Sequence, residues 1–126
     1  MIILFLALPL RPLGANATFV GATIVVISWH RSPDDNEKIA YALDCFWCKS
    51  QHDKNCKEAC DRQVTYFPGK ENITGVNVTV RGLSSSSFFL FRVYSVSELN
   101  QQEKDKDKWN YAKVFVETKG NVLMEE

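Results

Sequence analysis

The sequence predicts an all-β fold, a roughly seven-stranded antiparallel β-sandwich with a cysteine-rich excursion after the third strand. Three observations support this prediction. Short segments rich in β-branched and aromatic residues alternate with turn residues, no segment has helical periodicity, and strands do not alternate with helices along the chain. The 126 residues provide room for one domain, and the 45% hydrophobic content is enough for one ordinary core.

The most secure strand covers residues 22–28, which are β-branched almost throughout and therefore favour a pleated strand over a helix. Trp29 follows this run, and an inward Trp29 places Ile27 and Val25 on the same side, toward the core. Residues 30–38 carry turn chemistry, and residues 39–45 then alternate large with small or polar side chains. This second segment is predicted to be a half-buried strand.

Four further strands are predicted along the rest of the chain. They cover residues 63–67, 75–81, 88–96 and 112–118. Valines alternate with polar residues in the strand at 75–81, so Asn77 is expected to face solvent. Residues 97–110 are highly polar and are predicted to form a mobile, solvated loop.

Large apolar side chains at inward strand positions form the predicted core. Packing is a much more common role for such side chains than ligand binding. In the strand at 88–96, for example, three of them share one face. The predicted core residues are Trp29, Tyr41, Leu83, Phe89, Phe91 and Val93.

The apolar N-terminus has the length of a signal-peptide core. Residues 1–8 form an unbroken apolar run that Pro9 ends, and the run is too short to span a bilayer. We expect residues 1–11 to be a leader, residues 12–119 the folded domain and residues 120–126 a linker or tail. An Ala-x-Ala sequence places cleavage as late as residue 17, although no basic residue precedes the apolar run. In the alternative, residues 2–8 are an unremoved first strand or an artefact of the gene model.

Three Asn-x-Thr sequons begin at Asn16, Asn72 and Asn77. Because N-linked glycans are added only in the secretory pathway, the sequons indicate the same compartment as the leader. We predict an extracellular or secreted glycoprotein, which would be membrane-anchored if the domain belongs to a longer receptor.

The four cysteines are the strongest local signal. Two residues separate Cys45 from Cys48, and three separate Cys56 from Cys60. Four thiolates could hold a tetrahedral zinc ion, or four thiols could close two disulfides. The oxidising compartment favours disulfides, so we expect no metal and no cofactor. Three pairings are open, and one of them, Cys45 with Cys60 and Cys48 with Cys56, would staple a hairpin-like loop.

Phe46 and Trp47 lie between the first two cysteines. Exposed aromatic residues often anchor interfaces, so this pair is a candidate contact patch for a partner protein or a membrane surface. In the alternative, one of the two side chains covers the edge of the sandwich.

Neither nucleic-acid binding nor catalysis is indicated. Lys+Arg and Asp+Glu are balanced at 15 each. The chain therefore lacks the excess positive charge that binding to nucleic-acid phosphates requires. His30 and His52 are the only histidines, and neither has an evident nucleophile or carboxylate partner. Asp34 and Asp35 lie in a turn, where adjacent carboxylates are mostly solvated. We therefore predict that the protein is not an enzyme.

The spacing of the core residues resembles the fibronectin type III domain, an immunoglobulin-like sandwich, over roughly residues 12–118. The cysteine segment, followed by residues 64–68 (Val-Thr-Tyr-Phe-Pro), resembles the first such domain of Eph receptor tyrosine kinases, where a similar excursion follows the same strand. The residues that carry the fibronectin resemblance are Trp29 at the end of its strand, Tyr41 in the next, Leu83-x5-Phe89-x-Phe91-x-Val93, and Val114-x-Val116-x-Thr118.

The sequence also departs from that family. Phe89 stands where such domains usually place a tyrosine whose hydroxyl forms a hydrogen bond at a corner of the fold. Phenylalanine has no hydroxyl, so that hydrogen bond cannot form here. The loop after the strand at 88–96 is longer and more charged than in Eph receptors.

The resemblance implies a non-enzymatic interaction and spacer module of an Eph-like receptor ectodomain, involved in cell-surface signalling. Its partner would be a protein at the cell surface or an adjacent domain, and any kinase activity would reside in a missing intracellular region. The alternatives are a secreted single-domain binding protein and a cytosolic zinc-binding adaptor.

Overall fold

The computed structural model describes residues 8–33 and 39–120. These residues form eight strands in two four-stranded sheets, together with two short 3₁₀ helices. Most of the predicted leader, Asp34, Asp35 and most of the predicted tail lie outside the described residues. The strands are β1 (Leu13–Val20), β2 (Ile24–His30), β3 (Ala40–Cys48), β4 (Glu58–Ala59), β5 (Thr65–Phe67), β6 (Asn77–Arg81), β7 (Phe88–Val96) and β8 (Tyr111–Glu117).

The strands confirm the predicted antiparallel β-sandwich. Sheet 1 has the order β1-β2-β6-β5 and sheet 2 has the order β4-β3-β7-β8, with every neighbouring pair antiparallel. Strands β1 and β4 were not located from the sequence. In β1, small residues interrupt the run of β-branched and aromatic residues that would indicate a strand. Gly14 has a φ of 59°, and the register of β1 against β2 shifts twice. Strand β4 has only two residues, which is too short for a periodic signal.

The core lies between the sheets and contains inward side chains from both. On β2, Val25, Ile27 and Trp29 are buried, whereas the side chains between them are only half-buried. This alternation follows from the pleat of a strand. The ring of Trp29 packs against that of Tyr41, with centroids 5.6 Å apart. All six predicted core residues belong to this one cluster: Trp29, Tyr41, Leu83, Phe89, Phe91 and Val93.

Strand β7 is buried on both of its faces. Phe91 and Val93 point toward sheet 1, while Arg92 and Tyr94 point the other way and are still only 9% and 0% exposed. Since the outer face of a sandwich sheet is normally solvated, another part of the chain must cover this side.

The covering element is segment 97–110, which was predicted to be a mobile, solvated loop; most of its residues are exposed, but it packs on sheet 2. It contains two 3₁₀ helices, Glu98–Gln102 and Lys106–Lys108. The ring of Trp109 meets that of Tyr94 edge-on at 5.6 Å, and its Nε1 donates to the Glu103 carbonyl at 2.6 Å. The high charge of the segment concealed this packing, because most of its residues are exposed while the ring of Trp109 lies against the sheet.

Replacing Trp109 with alanine is therefore expected to lower the free energy of unfolding by about 2 kcal/mol, because a half-buried ring and one hydrogen bond are lost. Trp109→Phe keeps part of the ring contact and should cost about half as much. Urea denaturation of both variants measures the difference. Two values near zero would mean that the segment does not cover sheet 2.

A buried arginine fastens the same segment to sheet 2. The Arg92 guanidinium lies between two rings, 5.1 Å from the centroid of Phe46 and 4.5 Å from that of Tyr111. Its Nη1 donates to Asp107 Oδ1 at 2.7 Å. Two aromatic neighbours and a charge-assisted hydrogen bond at Nη1 hold the guanidinium in place, while its Nε has no hydrogen-bond partner among the described residues.

This pair makes stability depend on acid pH. The hydrogen bond from Arg92, together with its charge, holds the pKa of Asp107 below its usual value. A lowered pKa in the folded state stabilises the fold above the unfolded pKa of about 4, and that stabilisation is lost as the pH falls through the folded value. We expect Asp107→Asn to be less stable than the wild type at pH 7 and equally stable near pH 2. The exposed Glu71→Gln is the control for denaturation curves across this range.

The chain enters and leaves the sandwich at opposite ends. We call the end where β1 and β8 begin the amino end; there, Asn110 Nδ2 donates to the Pro9 carbonyl at 2.9 Å. We call the end where β1 and β8 finish the carboxyl end; there, the Lys119 N–H donates to the Gly21 carbonyl at 3.0 Å. Strands β1 and β8 thus lie beside each other and run in the same direction.

Candidate interaction site at the disulfide loop

Two disulfides brace the segment that follows β3. Cys45 is bonded to Cys60 and Cys48 to Cys56, which is the nested one of the three pairings. No free cysteine occurs in the described part of the chain. The sulfurs therefore form disulfides, as the sequence favoured over a zinc site.

Strand β3 carries two of these cysteines itself, because it continues beyond the predicted end at residue 45 as far as Cys48. Alternate residues of a strand face opposite sides. Cys45 accordingly lies in the main core, while Cys48 is buried on the outer face beside Cys56 and Leu90. The two bridges thus fix the following loop to both faces of sheet 2.

The disulfide loop, residues 49–59, is folded by its own polar groups. Asp53 accepts backbone hydrogen bonds from Lys49 at 3.4 Å and from Asn55 at 3.3 Å. The loop ends in β4, whose two residues pair with Phe46 and Trp47 of β3. The side chain of one aspartate therefore organises the turn, and a short strand returns the chain to the sheet.

A cleft of about 380 Å³ lies between the disulfide loop and the edge of sheet 2 where β3 and β8 end and β7 begins. Lys54 Nζ lies 4.7 Å from the ring centroid of Phe115, which is 44% exposed on β8. An exposed aromatic ring beside an exposed ammonium group offers both apolar and charged contacts to a partner. The cleft is lined by Cys48, Ser50, Gln51, His52, Lys54, Phe88, Phe89, Phe115, Val116 and Glu117.

Phe46 and Trp47 do not form one contact patch, contrary to the sequence-based hypothesis. As neighbours in β3 they point to opposite faces. Phe46 is half-buried against Arg92, whereas Trp47 is 38% exposed and lines a second, smaller cleft of about 210 Å³. Trp47 is the more exposed of the two side chains.

Sequence reasoning did not identify Phe115 and Lys54. Phe115 lies at an outward position between two inward valines, so strict alternation along β8 already indicated its exposure. Nothing in the sequence places Lys54 above that ring, because the contact depends on how the disulfides fold the loop.

The two histidines lie at opposite ends of the sandwich. His30 ends β2 at the amino end, and His52 lies in the disulfide loop near the carboxyl end. All three sequon asparagines are exposed. Asn16 and Asn77 lie in strands of sheet 1, whereas Asn72 lies in a turn with a φ of 53°.

Residues 8–33 and 39–120 contain no group of three or more His, Cys, Asp or Glu side chains placed to hold a metal ion. Within the same residues, neither 3₁₀ helix is long and apolar enough to cross a membrane.

Comparison with known proteins places the fold. The chain resembles the FN1–FN3 domains of chicken CNTN1 with a TM-score of 0.59 and 17% identity, over 90% of this chain and 34% of that one. It resembles the FN5 domain of Drosophila Lar with a TM-score of 0.54 and 14% identity, over 90% and 99% of the two chains. For the fibronectin type III domain of human fibronectin type III domain containing protein 3, the TM-score is 0.52 at 17% identity, over 91% and 90%.

No protein-family model matches the sequence, and no curated protein matches it. The structural likenesses, all below 25% identity, establish the fold alone. The chain therefore has the fibronectin type III fold, as its core residues suggested.

Proposed function

We propose that this chain is a non-enzymatic extracellular module that spaces and contacts protein domains in the ectodomain of an Eph-like receptor. Residues 12–119 would form the module. The observation that carries the proposal is the placement of the chain ends, with Pro9 beside Asn110 at one end of the sandwich and Lys119 beside Gly21 at the other. Domains with termini at opposite ends can be joined end to end into an extended array.

The spacing that such a module provides follows from its strands. Strand β8 has seven residues and runs nearly from one end to the other, which at about 3.4 Å per residue gives roughly 24 Å. The likeness to one third of the CNTN1 chain, which holds the FN1–FN3 domains, fits a unit that can occur in series.

An extracellular location is supported by the cysteine chemistry. Both disulfides join β3 to the chain that follows it and brace the carboxyl end, and such bonds persist in oxidising compartments. The apolar residues 1–8 and the three sequons agree with secretion.

The disulfide-loop cleft is the proposed contact site, and an adjacent domain is the proposed occupant. The cleft lies at the carboxyl end, where Phe88 pairs with Glu117 close to Lys119. A domain that follows in the same chain would therefore meet Phe115 and Lys54 first. Inter-domain contacts of this kind are modest in area and mixed in polarity, which suits one exposed ring with one cation.

The intact mass of the chain expressed with its own N-terminus in eukaryotic cells tests this proposal. We expect secreted protein without its leader, carrying glycan, and with no alkylatable thiol until it is reduced. An unprocessed intracellular chain with four reactive thiols, or with one zinc ion, would overturn the proposal in favour of a metal-binding adaptor.

The sequence of the parent transcript separates the receptor from a secreted single-domain protein. Continuation past Glu126 into another domain of this fold and a transmembrane helix supports the receptor module. A stop codon directly after Glu126 would contradict it and support the secreted binding protein.

A further inference from the structure

Two of the three sequons lie next to each other on the outer face of sheet 1. Asn16 on β1 is paired with Ser28 on β2, and Ser28 is paired with Asn77 on β6. The three residues form one row across the sheet. Since neighbouring strands lie about 4.8 Å apart, the Cα atoms of the two asparagines are about 10 Å apart.

The next outward-facing row of residues on sheet 1, toward the carboxyl end, is unusually apolar for an exposed surface. Phe67 on β5 is paired with Thr79 on β6, Thr79 with Val26 on β2, and Val26 with Phe19 on β1. The rings of Phe67 and Phe19 are 74% and 55% exposed. No described part of the chain covers this row, in contrast to the outer face of sheet 2, which segment 97–110 covers.

We infer that an N-linked glycan on Asn77 covers this apolar row, with its first sugar rings lying against Phe67 and Thr79. This inference rests on the extracellular location proposed above. It explains why one outer face of the sandwich is packed with protein while the other leaves two phenylalanine rings in water. Asn16, in the same row, would place a second glycan over Phe19.

The geometry of the sheet supports this contact. Phe67 is directly opposite Thr79, so it is the diagonal neighbour of Asn77 on the adjacent strand. Diagonal neighbours lie about 7–8 Å apart, within reach of an aromatic side chain. The C–H face of a sugar ring is apolar and packs on an aromatic face, and removing an exposed apolar patch from water is favourable.

The alternative occupant of an exposed apolar sheet face is another protein. The two sequons favour the glycan, because bulky carbohydrate attached at both ends of the adjacent row would hinder a flat protein surface from approaching. The disulfide loop lies on the other sheet, so glycans on the outer face of sheet 1 leave the proposed contact cleft open.

The third sequon provides a matched control. Asn72 lies in the turn before Ile73, which bridges to Tyr41 of sheet 2, and thus away from the outer face of sheet 1. A glycan on Asn72 would add the same mass and solubility without touching Phe67.

The experiment compares Asn77→Gln, Asn16→Gln and Asn72→Gln, each secreted from eukaryotic cells, by glycopeptide mass, thermal unfolding and binding of an apolar dye. We expect glycan on Asn77, a fall in Tm of roughly 2–4 °C for Asn77→Gln, and increased dye binding. Asn72→Gln should change only the mass. Adding Phe67→Ala to both the wild type and Asn77→Gln forms a double-mutant cycle, in which the effect of losing the glycan should shrink when Phe67 is absent.

Secreted protein with an unmodified Asn77 would overturn the inference while leaving the extracellular location intact. Equal Tm and dye values for Asn77→Gln and Asn72→Gln, or additive effects in the cycle, would also overturn it. A further outcome is that the Asn77→Gln variant forms dimers that the added Phe67→Ala substitution abolishes, while the cycle shows no coupling between Phe67 and the glycan. That result would overturn the inference and assign the row to a protein partner. A chain retained in the cytosol would overturn both the inference and the extracellular location.

Discussion

Replacing Cys45 and Cys60 together with alanine is expected to lower the free energy of unfolding by about 3 kcal/mol, because the bond closes a loop with a sequence separation of 15 residues. Cys45 also belongs to the main core, so its replacement removes packing as well. The pair Cys48 and Cys56 closes a separation of only 8 residues, and its removal should cost about 2.5 kcal/mol. Loss of both bonds would leave little of the stability typical of a small domain.

Denaturant unfolding of the oxidised wild type and of the two double variants measures these costs. Each double variant serves as the control for the other, because both lose two cysteines and differ in the loop that remains closed. A cost near zero for the Cys45 and Cys60 variant would contradict the view that this bond holds the disulfide loop to the core.

Phe91→Ala is expected to cost about 3–5 kcal/mol, because its ring is completely buried in the middle of β7 and leaves a cavity when removed. Phe115→Ala on the neighbouring strand deletes the same atoms from an exposed position and should cost less than about 1 kcal/mol. The comparison tests the register directly, because Phe91 is opposite Val114 and Phe115 is opposite Leu90.

Equilibrium unfolding with tryptophan fluorescence provides both values. If β8 were shifted by one residue against β7, Phe115 would point into the core and Val114 toward solvent. Two large losses, or a larger loss for Phe115→Ala, would therefore contradict the observed pairing.

The fold could be predicted because its strands carry strong periodic signals. Residues 77–81 show buried valines separated by polar residues, and residues 24–27 are β-branched throughout, so both segments indicate a strand in the sequence. Strand β1 escaped detection because its glycine, alanines and asparagine have little β preference, and its place is fixed by pairing with β2.

Segment 97–110 shows why the rest could not be predicted. Its composition is that of a solvated loop, and only the tertiary contacts of Trp109 and Asp107 with sheet 2 reveal that it covers a buried face. A buried arginine in a strand was the available signal, because Arg92 within an apolar run needs a partner if both faces are covered.

The candidate site was predicted only in part. The cysteine spacing indicated disulfides, but it left three pairings open and could not place Lys54 over Phe115. Adjacent aromatic residues suggested a patch at Phe46 and Trp47. Extending β3 as far as Cys48 separates the two side chains onto opposite faces, and a strand boundary is the feature that sequence patterns determine least well.

The opposite placement of the chain ends has a mechanical consequence. A tension that pulls on both ends of the domain acts along β1 and β8, the strands that begin and finish the fold. The hydrogen bonds between β1 and β2 lie perpendicular to the strands, so this force shears many of them at once and does not peel them apart one by one. We expect the domain to resist mechanical unfolding when it is pulled between its two ends.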